Sequence, residues 1–478
     1  MQRTILLLLA LLPLALTAAD RKPNFLFVYT DDQRWDAMGV VQREQGERAR
    51  FPWLQTPSMD RLASEGVRFR HAFVTLSLCA PSRAAFLTGR YNHLNGVANN
   101  HTPFPANSVT HASLMRAAGY ATAYIGKWHM GNQRGQRPGF DYSASFIGQG
   151  RYLNCPFEIN GAPTPTTGWV DDVSTDYAIR FIQQHREQPF SMVVGFKACH
   201  GPWDPPERAK DRFPDAQSRP VPSLGLRAIY RGGSTTKSNA PATRPADANP
   251  NYFRCISAAD DNLGRLLKTL DDLGLANDTV VVFASDNGFY KGEHGLGDKR
   301  SAYEESLLIP MIVRYPKLVP KGKVLDELVL NLDLAPTFLD LAGLPIPSQM
   351  QGRSWRPLLT GTSTDWRKSF LAEYFLENQY PNTPTLVTVR TADAKLVKYP
   401  GHDEWTELFD LARDPYETQN LAADPAHQDL LVRMQAEFDR QAKLTQFRIP
   451  DYADQPGLGE PPAGKKGGRK KKQQPGEG

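Results

Sequence analysis

The sequence predicts an α/β protein: a large, mostly parallel sheet sandwiched by helices, followed by a smaller α+β unit with an antiparallel sheet. Three observations predict it. Short apolar runs rich in β-branched residues alternate with helical patterns along most of the chain, as in a parallel sheet buried on both faces. After about residue 365 the texture changes to short, closely spaced strands. A chain of 478 residues is long enough for one large domain and one small one.

Taken in order, "NFLFVYT" (24–30) is a buried strand that stops at Asp31-Asp32. "TPSMDRLASEGVRF" (56–69) reads as a helix with Met59, Leu62 and Ala63 on one face and a stop at Gly66. "YATAYIG" (120–126), "PFSMVVGFKAC" (189–199) and "TVVVFAS" (279–285) are further strands. Between the last two, "CISAADDNLGRLLKTLDDLG" repeats its apolar residues at helical spacing. Residues 204–250 are crowded with Pro, Gly, Ser and Thr and read as a long loop. "SFLAEYF", "TLVTVRTADAKLVKYP" and "TELFDLARDP" then read as strands joined by turns, closed by an amphipathic helix over 429–444. The expected division is 20–365, 366–448 and a tail over 449–478.

The termini differ in character from the body. Arg3, the apolar run Ile5 to Leu16 and the small residues Thr17-Ala18-Ala19 read as a signal peptide over 1–19, too short for a transmembrane anchor. Export to the periplasm or the extracellular space is therefore expected. The net charge of +5 belongs to the tail, where Lys465, Lys466, Arg469, Lys470, Lys471 and Lys472 face Glu477 alone. Its Gly, Pro and Gln content predicts disorder, and the lack of interleaved aromatics excludes a specific nucleic-acid module. Cys79, Cys155, Cys199 and Cys255 are too few and too irregular for a disulfide scaffold, and no CxxC pair offers a thiolate metal site. At most one disulfide is expected.

Ligands of open parallel sheets bind beyond the carboxyl ends of the strands. Those ends carry Asp31 and Asp32, Lys127 and His129, His200, and Asp286 and Asn287. An Asp-Asp after one strand is commonly a turn or a cap. Paired with Asp286-Asn287 at a second strand end, it becomes a set of hard oxygen donors suited to Ca²⁺, with Mg²⁺ a poorer fit because it keeps more water. His129 and His200 titrate near neutrality and suit acid–base work. Lys127 and Lys299 suit an anion, and His294, in the same Gly-rich loop as Lys299, is a further candidate substrate contact. Cys79 reads either as a small buried hydrophobe or as a thiolate nucleophile.

The stretch Cys79-Ala80-Pro81-Ser82-Arg83, continued by Ala-Ala-Phe-Leu-Thr-Gly-Arg, resembles the signature of type I sulfatases, whose C-x-P-S-R cysteine is oxidised to formylglycine. The resemblance extends to "FVYTDDQRWDAMG", "YIGKWHMG", "FASDNGFYKGEHGLGDKRSAYEESLLIPMIVRYP" and "ELFDLARDPYETQNLA", in the family's order up to about residue 445. It implies an alkaline-phosphatase-like fold, with Asp31, Asp32, Asp286 and Asn287 as calcium ligands. Cys79 would be the modified nucleophile and Arg83 its orienting cation. Lys127 and Lys299 would hold the sulfate, His129 would act on the formylglycine hydrate, and His200 would protonate the leaving oxygen. A formylglycine-generating or anaerobic sulfatase-maturating enzyme is the implied partner. The implied substrate is an extracellular sulfated carbohydrate, with 6-sulfated N-acetylglucosamine favoured over uronate 2-sulfates, algal galactans and aryl sulfates.

Two features depart from the family pattern: Cys199 directly before His200, and the 204–250 loop, which lies where relatives shape the substrate pocket. The rival readings are a phosphatase or phosphodiesterase of the same superfamily, a non-catalytic sulfated-glycan binder, and an unmodified thiolate enzyme. The first uses Ser or Thr with two zinc ions on Asp and His, whereas neither ligand doublet here contains histidine. The second would lack the cysteine or the histidines.

Overall fold

The computed structural model describes residues 22–232, 249–363 and 365–451. The 1–19 leader, residues 233–248 of the long loop and residues 452–478 of the tail lie outside the described residues. In chain order the first strands are β1 (Asn24–Thr30), β2 (Val67–Phe69), β3 (Ala72–Phe73), β4 (Ala121–Lys127), β5 (Tyr142–Phe146), β6 (Phe157–Ile159), β7 (Ala162–Thr164) and β8 (Phe190–Gly195). They are followed by β9 (Thr279–Ser285), β10 (Met311–Arg314), β11 (Lys323–Leu325), β12 (Val329–Leu330), β13 (Ser369–Tyr374), β14 (Leu386–Thr391), β15 (Ala394–Lys398) and β16 (Glu407–Asp410).

Ten of them form one sheet in the order β11-β2-β10-β9-β1-β8-β4-β5-β6-β7. Its centre, β9-β1-β8-β4-β5, is parallel throughout. Alternation along β1 explains why the sheet is covered on both sides. Phe25, Phe27 and Tyr29 point into one apolar cluster with Phe86 and Phe338. Leu26 and Val28 point into the other, with Phe181, Leu263 and Leu266. Helices Cys79–Thr88 and Leu334–Leu341 close the first face, and Val170–Gln184 and Asn251–Asp272 the second.

The strands over 24–30 and 279–285 have the bounds read from sequence. The helix in 56–69 ends at Glu65, and Val67–Phe69 becomes β2. The larger correction concerns 189–199, which is strand only over Phe190–Gly195. Beyond Gly195 the backbone N–H groups of Lys197 and Ala198 donate to the two carboxylate oxygens of Asp171 at 2.8 and 2.9 Å, which takes them out of the ladder. Gly126 explains how β4 and β8 come so close there. Its φ is +90°, and a Cβ on it would stand 2.1 Å from the carbonyl oxygen of Gly195.

β12 and β3 pair separately as a two-stranded parallel sheet, and a four-stranded antiparallel sheet runs β13-β14-β15-β16 and is covered by the helix Gln428–Thr445. The chain after β9 is tied to this sheet by ionic contacts. Lys395 of β15 is fully buried, and its Nζ donates to Glu304 at 2.8 Å, Glu417 at 2.7 Å and the carbonyl of Ala302 at 2.8 Å. Arg390 of β14 adds a 3.1 Å contact to Glu304. Burial disfavours the Glu304 carboxylate, but Arg390 and Lys395 together hold its carboxyl below the ordinary range. Replacing Lys395 by Met strips the buried Glu417 of its cation and leaves Glu304 with Arg390 alone, so Lys395→Met is expected to cost about 3–5 kcal/mol. A denaturant midpoint unchanged from the parent would refute that account.

Candidate active site

The site begins with strand register. β1 and β9 are parallel neighbours with Thr30 opposite Ser285, so the next residues, Asp31-Asp32 and Asp286-Asn287, emerge side by side. Asp32 leaves the strand with φ +64°, in the left-handed region that L-residues occupy only when the surroundings enforce it. Its backbone N–H donates to Asp286 Oδ1 at 3.1 Å. Asp31, Asp32 and Asp286 are buried, and each offers an oxygen within 4.8 Å of the others'.

Three cations neutralise these carboxylates. Arg83 donates through Nε and Nη2 to Asp286 Oδ2 at 3.0 and 2.7 Å and through Nη2 to Asp31 Oδ2 at 3.2 Å. Lys127, the last residue of β4, places Nζ on Asp31 Oδ2. Lys299 Nζ meets both oxygens of Asp32 at 2.6 and 2.8 Å. Burial works against the Asp32 carboxylate and raises its pKa, while Lys299 pulls the other way. Three carboxylates thus face three basic side chains, and burial pushes Lys127 well below the ordinary lysine range.

Cys79 opens the fully buried helix Cys79–Thr88, with Pro81 in the first turn, where a missing N–H does no harm. Its Sγ lies 3.5 Å from Asp31 Oδ1. Burial pushes the thiol up to about 12, with Asp286 and Asp32 adding to the shift and Lys299 and Arg83 opposing it. An unmodified thiolate nucleophile is therefore disfavoured at this position.

His200 Nε2 stands 3.9 Å from Asp32 Oδ2, with 19% of its side chain exposed. Its Nδ1 lies 2.6 Å from the carbonyl of Gly201. His129 has φ +44° and a buried Nδ1 with no hydrogen-bond partner among the described residues. Burial first, then Lys127, Arg83 and Lys299, push its pKa well below the ordinary histidine range. Burial first, then Lys127 and Lys299, push His200 down as well, so both rings are held neutral beside these basic side chains.

His294 lies elsewhere. Its ring stacks on Tyr303 at 3.8 Å between centroids, and its Nε2 is 3.8 Å from Glu305, so its neighbours are Tyr303, Glu305 and Glu417 rather than the aspartates. The sequence reading also overlooked two tyrosines that hold Arg83. Tyr29 OH accepts from Arg83 Nη1 at 3.3 Å, and the Tyr29 and Tyr124 hydroxyls meet at 2.5 Å. Each lies two or three residues before a site residue, in a strand otherwise built of apolar or small side chains, and that polar tip was the available signal.

The donors fit a hard divalent cation. Three carboxylates and the Asn287 amide converge, and Asn287 Oδ1 is buried with no hydrogen-bond partner among the described residues. Its Nδ2 is already engaged with Asp32 Oδ1 at 2.6 Å and the carbonyl of Gly288 at 2.8 Å. An orphaned buried acceptor beside three carboxylates is what a cation would satisfy.

Comparison with known proteins agrees with this geometry. The family described as Sulfatase matches residues 23–344, and the one described as N-sulphoglucosamine sulphohydrolase, C-terminal matches 292–444. An N-acetylglucosamine-6-O-sulfatase of Bacteroides thetaiotaomicron is 31% identical, with 87% of each chain covered. An ulvan-active sulfatase of Formosa agariphila is 29% identical over 90% of this chain and 83% of its own. A solved structure described as a complex with its substrate D-glucosamine-2-N,6-O-disulfate superposes with a TM-score of 0.80 at 29% identity, covering 90% of this chain and 99% of the other. A phosphonate monoester hydrolase of Agrobacterium radiobacter, at 22% identity and a TM-score of 0.72, shares the fold. With its strand-end carboxylates, its buried cysteine and a family match over more than half its length, the chain belongs to the sulfatase family and is a sulfatase.

Proposed function

We propose that this sulfatase is exported and removes the 6-O-sulfate of N-acetylglucosamine units in an extracellular sulfated saccharide, using formylglycine made from Cys79 and a calcium ion held by Asp31, Asp32, Asp286 and Asn287. The observation that carries the chemistry is the single buried cluster in which Cys79 meets three carboxylates, three cations and His200. The saccharide reading is supported by the N-acetylglucosamine-6-O-sulfatase relative and by the glucosamine disulfate complex. Among the described residues no helix is long and apolar enough to cross a membrane. Export rests on the 1–19 leader, and conversion of Cys79 on a maturating enzyme of the host.

Calcium would supply a divalent charge for the sulfate oxygens, and formylglycine a hydrated aldehyde whose hydroxyl is the nucleophile. The chain's own residues do the rest. Arg83, clamped by Asp286, Asp31 and Tyr29, orients whatever group stands at position 79. Lys127 and Lys299, held here on Asp31 and Asp32, become available to sulfate oxygens once those carboxylates serve a cation. His200, at the partly open side, can carry a proton to the departing alcohol once bound sulfate offsets the Lys127 and Lys299 charges that keep its ring neutral, and His129, buried and neutral, accepts a proton from position 79.

Three measurements test this. The peptide holding residues 71–83 from active protein is expected to be lighter than its cysteine form and to resist alkylation. Full alkylation of Cys79 in protein that still hydrolyses sulfate esters would exclude the modified nucleophile. In a Cys79→Ala variant, calcium should raise the melting temperature, with a stabilisation of about 2.7 kcal/mol at a hundredfold excess over the dissociation constant. Asp286→Asn should abolish that shift, and calcium-independent melting of the Cys79→Ala variant would rule out the metal site. On a panel of sulfated saccharides, N-acetylglucosamine 6-sulfate should lead in kcat/KM; a uronate 2-sulfate in first place would overturn the substrate assignment.

A further inference from the structure

One buried carboxylate close to the site has no part in the chemistry above. Asp171, fully buried in the first turn of the helix Val170–Gln184, accepts the backbone N–H of Lys197 on Oδ1 at 2.8 Å and that of Ala198 on Oδ2 at 2.9 Å. The opposite edge of the same segment is stitched to β1. Phe196 N–H donates to the Tyr29 carbonyl at 2.9 Å, Asp31 N–H to the Ala198 carbonyl at 2.8 Å, and Cys199 N–H to the Asp31 carbonyl at 2.7 Å. The Tyr152 hydroxyl then donates to the carbonyl of His200 itself at 2.7 Å. The segment that ends in His200 is therefore not a free loop. It is clamped between a cluster aspartate on one side and a carboxylate from a helix on the other face of the sheet.

We propose that Asp171 is a positioning residue for His200: by filling both N–H groups before it, the carboxylate fixes where the imidazole stands relative to Asp32 and the leaving oxygen. The inference rests on the reading of His200 as the proton donor. Asp171→Asn keeps the volume but presents an NH₂ group to one of the two N–H donors, so one bond is lost and two donors face each other.

A proton donor out of place matters only where the leaving group needs its proton. The test therefore compares kcat/KM on sulfate esters whose leaving groups run from 4-nitrophenol to the primary alcohol of a sugar. Asp171→Asn is expected to lose about 100-fold on the sugar ester and less than about fivefold on 4-nitrophenyl sulfate. His200→Ala should show the same split, and the double variant should be no worse than His200→Ala alone. Equal losses on both esters, or multiplicative losses in the double variant, would overturn the positioning role. If His200→Ala splits the two substrates and Asp171→Asn does not, the positioning role alone falls. If His200→Ala shows no split, the proton-donor reading falls and takes the inference with it. Should Asp171→Asn fail to fold, Tyr152→Phe, which removes the bond to the His200 carbonyl from another side, is expected to give the same split at about three- to tenfold; no split there counts against the role.

Discussion

The carboxylates of Asp31, Asp32 and Asp286 stand within 4.8 Å of one another and away from water. Charges buried that closely repel one another and lose their hydration, so the chain must bring compensating charge to the same place. Arg83 arrives on a helix, Lys127 on β4 and Lys299 on the loop after β9. Each belongs to a different stretch of sequence, and only the closed sheet brings them together. The fold and the site are thus one problem: a misplaced strand would bury a carboxylate without its cation.

The need for compensation also explains the order built around the cations. The guanidinium of Arg83 lies 4.8 Å from the Tyr29 ring centroid and bonds to its hydroxyl, which in turn meets that of Tyr124. The two tyrosines extend the polar cluster one layer into an otherwise apolar sheet. The left-handed backbones of Asp32 and His129 belong to the same account, since both sit where a strand must turn sharply to present a side chain over the sheet's edge.

Much of this was legible in sequence, for a specific reason. Asp31-Asp32 and Asp286-Asn287 follow strands whose continuous apolar runs make their ends easy to find, and the parallel register does the rest. The strand over 189–199 was overextended because the rule that ended it is not written in its own residues. Asp171, in another helix, captures the N–H groups of Lys197 and Ala198, and a carboxylate bonded to backbone leaves no pattern in either segment. Tyr29 and Tyr124 were hidden by looking like ordinary strand residues. His294 shares a loop with Lys299, yet the loop folds so that its ring packs on Tyr303 rather than on the aspartates, a placement that loop membership alone does not reveal.

The helix that begins at Cys79 is buried along its whole length, including Pro81 and Arg83. Once the sheet has closed over it, no other enzyme can reach the sulfur without dismantling the core that Phe86 and Leu87 help to build. Any oxidation of Cys79 by a second protein therefore belongs to the life of the chain before folding, while the segment is still extended. Folding then acts as a deadline. A molecule that closes first keeps Cys79 as a thiol, sealed beneath a finished core.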